Sequence, residues 1–448
     1  MKNFSIEEFK QNTRDFCQFV EKSPSPFHVI EVAKKILVKN GFTEIKETDS
    51  WKLKKGGSYF VRRNQSAMIA FSIPKEDYLG FQIVASHTDS PTFKLKENPE
   101  VRHEKKYTTL NVEGYGGMLC APWFDRPLSL AGRAILKADN KIESRLVYFD
   151  RDLLSIVNLA VHMDREANRG KDYKIQRDMQ PIFSDGRDSD VKDLVAKELG
   201  VKKDSVLSVD LYLVNRSKAT LWGEEEQFFS SPKIDDLQCL YASLQGILGS
   251  KPYRSISVAM FFDNEEVGSS TGQGALSDFG EHTLRRIHKA LGKDEEEYYQ
   301  KLSNSFMLSA DNGHALHPNY KEKADISNHA YVNGGILIKE AANQKYTSDG
   351  ISKAIIKQIL DEEGIPWQIY VNHSDVPGGS TLGNLAMQKF SIPTVDIGAA
   401  QLAMHSPYEM GGVRDTLWLI EAMKSFYRRS ILKIEDGVFE ILAQEKER

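Results

Sequence analysis

The chain has 448 residues, 40% of them hydrophobic, and a formal net charge of −4. That length allows more than one domain with a sizeable core, and the mild acidity gives no electrostatic footing for nucleic acid or an anionic membrane surface. Three cysteines (Cys17, Cys120, Cys239) without a Cys-x-x-Cys pair argue against a disulfide framework. With no signal-like start and no run of about 18 apolar residues, a cytoplasmic protein is expected.

Apolar residues at helical spacing over Ile6–Val20, with Ser5 as cap, predict a first helix, and Phe27–Val38, ending near Gly41, a second. Short apolar runs at Gly80–Ala85, Ile256–Phe262, Phe306–Ala310 and Pro393–Ile397 predict buried strands. Helical patterns at Asp236–Leu248, Asp278–Leu291, Ser348–Glu363 and Val413–Ile431 lie between or after the later ones. This alternation predicts an α/β fold, a mixed and mostly parallel sheet flanked by helices. From about Val101 to Leu221 the pattern changes to strand-like pieces, at Thr108–Val112, Leu130–Leu136 and Val206–Val214, with turn residues between them. Residues 99–232 are therefore expected to form a β-rich domain inserted into one built from residues 1–98 and 233–448.

Chemistry-bearing residues cluster just after the predicted strands, where ligands bind in open α/β sheets. Ser86-His87-Thr88-Asp89 follows the first, Asp263-Asn264-Glu265-Glu266 the second, Asp311-Asn312-Gly313-His314 the third, and His405 comes shortly after the fourth. His87 and Asp89 are two apart on an extended segment and face one way, so the carboxylate can accept the spare ring N–H of a metal-bound imidazole. Adjacent carboxylates such as Glu265 and Glu266 diverge, so one can hold a metal while the other faces its water. Asp235-Asp236 sits at a helix start, which capping explains for Asp236 better than for Asp235. Singly, a lone Asp or His reads as structural, and Glu265-Glu266 stays open between a solvated acid pair and a metal site. Together, two histidines and three carboxylates make a mixed nitrogen and oxygen shell suited to zinc, with manganese or cobalt as alternatives.

At these residues the sequence resembles the M18 metallopeptidases, the aspartyl aminopeptidase family. The marks are Ser86-His87-Thr88-Asp89-Ser90-Pro91, Pro232-Lys233-Ile234-Asp235-Asp236-Leu237, Phe262-Asp263-Asn264-Glu265-Glu266-Val267-Gly268-Ser269, Asp311-Asn312-Gly313-His314 and Gln401-Leu402-Ala403-Met404-His405-Ser406, in that order over nearly the whole chain. The resemblance implies a zinc-peptidase-like catalytic domain, an inserted dimerisation domain and two divalent metal ions. Asp235 would bridge them, His87 and Asp311 completing one site and Glu266 and His405 the other. Glu265 would be the general base and Asp89 the residue that orients His87. His314, Lys339 and Tyr346 would contact the peptide substrate, and His162 would be supplied to a neighbouring subunit in a dodecamer built from dimers. Asn333-Gly334-Gly335 and Tyr408 stand where aspartyl members carry Lys-Gly-Pro and Arg, so acidic and neutral first residues both stay open. A non-catalytic assembly protein of this fold would show a lost ligand or base, and all six residues are present.

Overall fold

The four apolar runs become neighbouring strands because each is buried on both faces. In the computed structural model, which describes residues 3–188, 190–376 and 378–443, the described residues form a nine-stranded sheet. Its order is 43–44, 58–63, 67–72, 256–262, 81–87, 306–310, 394–398, 336–340 and 367–371. The four strands from 256–262 to 394–398 are mutually parallel. Successive residues alternate between two cores, as the pleat requires. Val84, Ala259 and Leu308 join Leu240, Leu244 and Met423, from helices Ile234–Leu248 and Asp415–Tyr427. Ile83, Val258 and Met307 face Phe279, Leu284 and Ile287, on or beside helix Phe279–Ala290. Burial of each large side chain contributes about 1.5–3 kcal/mol, so the register at the strand ends is firmly held.

A second, six-stranded sheet has the order 141–148, 128–138, 206–215, 92–103, 107–115 and 182–184, with antiparallel neighbours. It has its own core, with Phe93, Leu110, Val112, Leu130, Leu211 and Leu213 packed on Val191 and Val195. A third, five-stranded sheet gathers 220–222, 228–231, 409–412, 400–402 and 313–314, joining the chain on either side of His405 to His314.

The helix expected over Val413–Ile431 spans Asp415–Tyr427, and Arg429–Glu435 is instead a strand paired with Val438–Ala443. The cause is the Asp436-Gly437 turn, whose glycine has φ of 83°, a hairpin signal that overrides the preceding helical spacing. Helix Val191–Leu199 also lies within the stretch read as strands. Asp190 caps it by accepting from the Asp193 N–H, and Gly200 closes it in the left-handed region.

Candidate metal centre

Strand register creates the site. Phe262 pairs with His87, so the chains leaving these two strands emerge side by side, and Asp311 follows the next strand at the same edge. After Phe262 the chain curls through left-handed Asn264, Gly268 and Ser269 around the 3-10 turn Glu265–Val267. The Asn264 side-chain oxygen, accepting from Thr271 Oγ1 at 2.8 Å and Gln273 Nε2 at 2.7 Å, holds that curl. Asp235 stands in non-helical geometry at the start of Ile234–Leu248, and its peptide bond to Asp236 is cis.

The five residues proposed as ligands converge. Asp235 Oδ1 lies 3.4 Å from His87 Nε2, and Asp235 Oδ2 lies 3.4 Å from His405 Nε2. His405 Nε2 is also 3.4 Å from Glu266 Oε2. Possible ligand atoms of His87, Asp235 and Asp311 lie within 4.8 Å of one another, as do those of Asp235, Glu266 and His405. The two triads share Asp235 and nothing else. Glu265 joins a further such group with His87 and Glu266. Asp89 Oδ1 stands 3.3 Å from His87 Nδ1.

The donor set fits divalent cations. Asp235 Oδ1 and Glu266 Oε1 are buried without a hydrogen-bond partner, and unpartnered buried oxygens are costly. Burial opposes charge on Asp235, yet pairing with His405 and His87 holds its carboxyl below the ordinary range. Burial and the nearby carboxylates lift Glu265 to about 8 and push Asp236, Glu266 and Asp311 upward. Such crowding of acids is what bound divalent cations relieve.

Lys339, on strand Ile336–Glu340, is buried, with Nζ 3.6 Å from Asp311 Oδ2 and 5.2 Å from the Tyr346 ring centroid. Burial works against its charge, but Asp311 and Asp396 more than offset this and raise its pKa. His314 lies beside a cavity of about 300 Å³ that is also lined by Tyr370, Asn372 and His373. His162 lies on an exposed turn and joins none of these groups among the described residues.

Two supporting residues have roles the sequence does not show: Glu409, and Asp236, which is not the expected helix cap because Lys233 holds the N-cap position. Glu409 is buried; its carboxylate accepts from the Asp235 N–H at 3.1 Å and the His405 N–H at 2.8 Å, steadying two of the convergent loops. Asp236 Oδ2 accepts from the His87 N–H at 3.1 Å. The two departures from the family pattern have structural uses. Asp415 accepts from the Asn333 N–H at 2.6 Å and the Gly335 N–H at 3.0 Å. The Tyr408 hydroxyl donates to the Lys218 carbonyl at 2.6 Å.

A family model described as aminopeptidase I zinc metalloprotease (M18) matches residues 19–427. A probable M18 family aminopeptidase 2 of Clostridium acetobutylicum is 42% identical over 423 residues, covering 92% of this chain and 98% of the relative. Among solved structures, the chain in the Ape4 and Nbr1 complex superposes with a TM-score of 0.91 at 33% identity, covering 94% of this chain and 86% of that one. The S. cerevisiae mApe1 dodecamer gives a TM-score of 0.83 at 25% identity, covering 94% and 97%.

Proposed function

The chain belongs to the M18 family of metalloprotease aminopeptidases, and from that premise we propose that it removes single N-terminal residues from peptides with two divalent cations and Glu265 as general base. The observation that carries the reading is the division of Asp235 between two histidines, with one carboxylate oxygen 3.4 Å from His87 and the other 3.4 Å from His405. A carboxylate so placed suits a bridge, with His87 and Asp311 on one side and Glu266 and His405 on the other. Zinc fits this nitrogen and oxygen set best, with manganese or cobalt as alternatives. When bound, such a pair of cations supplies Lewis acidity, lowering the pKa of a water and polarising a carbonyl oxygen.

The protein's own residues do the rest. Glu265 takes the proton of the attacking water and hands it to the departing amine, a task suited to a carboxyl that burial pushes upward from the ordinary range. Asp89 fixes the tautomer of His87 from its Nδ1 side. Lys339 and Tyr346, with His314 at the neighbouring cavity, hold the first residue of the substrate. The buried Lys339 ammonium favours an acidic one, while neutral first residues remain the competing preference.

Residues 99–232 are proposed as a dimerisation domain, within a dodecamer in which His162 reaches a neighbouring subunit's site. Support comes from the likeness to the mApe1 dodecamer and from the exposure of Val157, Leu159, Val161 and Met163 around His162. A cytoplasmic location is proposed from the unpaired cysteines. No helix among the described residues is long and apolar enough to cross a membrane.

The test is a panel of aminoacyl-nitroanilides carrying Asp, Glu, Leu or Ala, assayed with and without a chelator. Chelator-sensitive release, fastest for Asp and Glu, is expected. Release that a chelator leaves untouched would end the reading, and faster release from Leu would shift the preference to neutral residues.

A further inference from the structure

Asp89 is fully buried, and its carboxylate is engaged from four sides. Oδ1 accepts from the Glu265 N–H at 3.1 Å and faces His87 Nδ1 at 3.3 Å. Oδ2 accepts from the Glu266 N–H at 3.1 Å and from the Tyr115 hydroxyl at 2.7 Å. Three of these partners belong to the centre. Tyr115 does not: it is the last residue of strand Tyr107–Tyr115, in the six-stranded sheet with its own core.

Tyr115 is itself held in place. Its hydroxyl accepts from Asn264 Nδ2 at 2.8 Å, and Asn264 is the left-handed residue that starts the Glu265–Val267 turn. Its ring meets Tyr212 edge-on, with centroids 5.5 Å apart. The chain beyond it stays against the centre. Gly116 approaches so closely that a Cβ there would lie 3.0 Å from the Cβ of Glu266. The Leu119 N–H donates to the His405 carbonyl at 3.1 Å.

We propose that Tyr115 is a positioning residue of the hydrolytic centre: its hydroxyl sets the rotation of the Asp89 carboxylate and thereby aims His87 and the Glu265–Glu266 turn, so that the six-stranded sheet governs the geometry of the metal sites. This rests on the reading above that His87 and Glu266 hold cations and Glu265 is the base. His87 Nδ1 hydrogen-bonds the Asp89 main-chain carbonyl at 3.1 Å and stands 3.3 Å from Oδ1, so the carboxylate acts on the ring through charge, and the short hydroxyl contact on Oδ2 opposes a twist about Cβ–Cγ that would carry Oδ1 away from it. Removing an outer partner of this kind typically weakens metal affinity or activity by about 10- to 100-fold.

The experiment uses the full chain and compares the parent, Tyr115→Phe, Asp89→Asn and the double variant. Tyr212→Phe, which removes the hydroxyl of the packing ring, is the control. Zinc affinity of the metal-free protein is measured by competition with a chromophoric chelator, and kcat and KM are measured on the best nitroanilide of the panel. Tyr115→Phe is expected to bind zinc about 10- to 100-fold more weakly and to lose kcat by a similar factor, with KM held and Tyr212→Phe matching the parent. Because Tyr115 acts through Asp89, adding its change to Asp89→Asn should cost nothing further. Unchanged affinity and kcat in Tyr115→Phe would overturn the proposal. So would losses that multiply in the double variant, the signature of general weakening of the fold. Failure of the parent to show chelator-sensitive hydrolysis would instead sink the underlying reading.

Discussion

Replacing Glu265 with Gln removes the proposed base while leaving its scaffold standing. The turn that presents it is held through the backbone, with the Glu265 and Glu266 N–H groups donating to Asp89 at 3.1 Å each. Neither bond involves the side chain that changes. The amide is the same size as the carboxyl and can still accept a hydrogen bond from water, but it cannot take up a proton. General-base assistance is worth about 100- to 10,000-fold, so kcat should fall by that factor, equivalent to about 3–5 kcal/mol. KM should move little, because Lys339, Tyr346 and His314 are untouched. Initial rates on the nitroanilide panel, with elemental analysis of the purified variant, measure both quantities. A kcat within about threefold of the parent would refute the base assignment, being well below what such a base contributes. Loss of a cation along with activity would refute it in another way, by making Glu265 a ligand within its group with His87 and Glu266.

Lys339→Met should lower kcat/KM for Asp and Glu first residues relative to Leu and Ala by about tenfold or more, since a buried charge pair would lose one partner; the same panel reads it. His28 supplies a pH prediction away from the centre. Burial, then the nearby Lys233 and Lys35, depress its pKa from 6.5 to about 4. A depressed imidazole contributes stability that is present above pH about 6.5 and is lost as pH falls to about 4, in total about 3 kcal/mol. Thermal melting across that window should show a steep acid limb in the parent and a flatter one in His28→Asn; parallel limbs would contradict this. Asp415→Ala strands the Asn333 and Gly335 N–H groups it now accepts, and should destabilise the fold by about 2–4 kcal/mol. Chemical unfolding measures that, and a loss below about 0.5 kcal/mol would count against the structural use assigned to residues 333–335.

The sequence was most informative where burial was complete. Strands 256–262 and 306–310 are apolar at nearly every position because helices cover both faces, and such runs stand out without any partner being known. Strands 58–63 and 67–72 are less legible: Arg62, Arg63, Asn64 and Gln65 interrupt the apolar pattern where the hairpin turns. Helix 191–199 was hidden by its short length within a β-rich stretch. At the centre, His87, Glu265, Glu266 and Asp311 were legible because each directly follows an apolar strand, and strand ends in α/β sheets are where chemistry collects. Tyr115 and Glu409 were not, because Tyr115 acts on Asp89, 26 positions away, and Glu409 ties the His405 loop to Asp235, 174 positions away. Nothing in the local pattern around Tyr115 distinguishes a hydroxyl aimed at a buried carboxylate from one facing water.

Zinc titration of the metal-free protein tests most directly the sharing of Asp235 between two cation sites. Calorimetry with elemental analysis should find two zinc ions per parent chain, and Asp235→Asn, which leaves one oxygen where two are needed, should hold at most one of them tightly. A parent chain that saturates with a single ion, or an Asp235→Asn variant that keeps two at parental affinity, would contradict it.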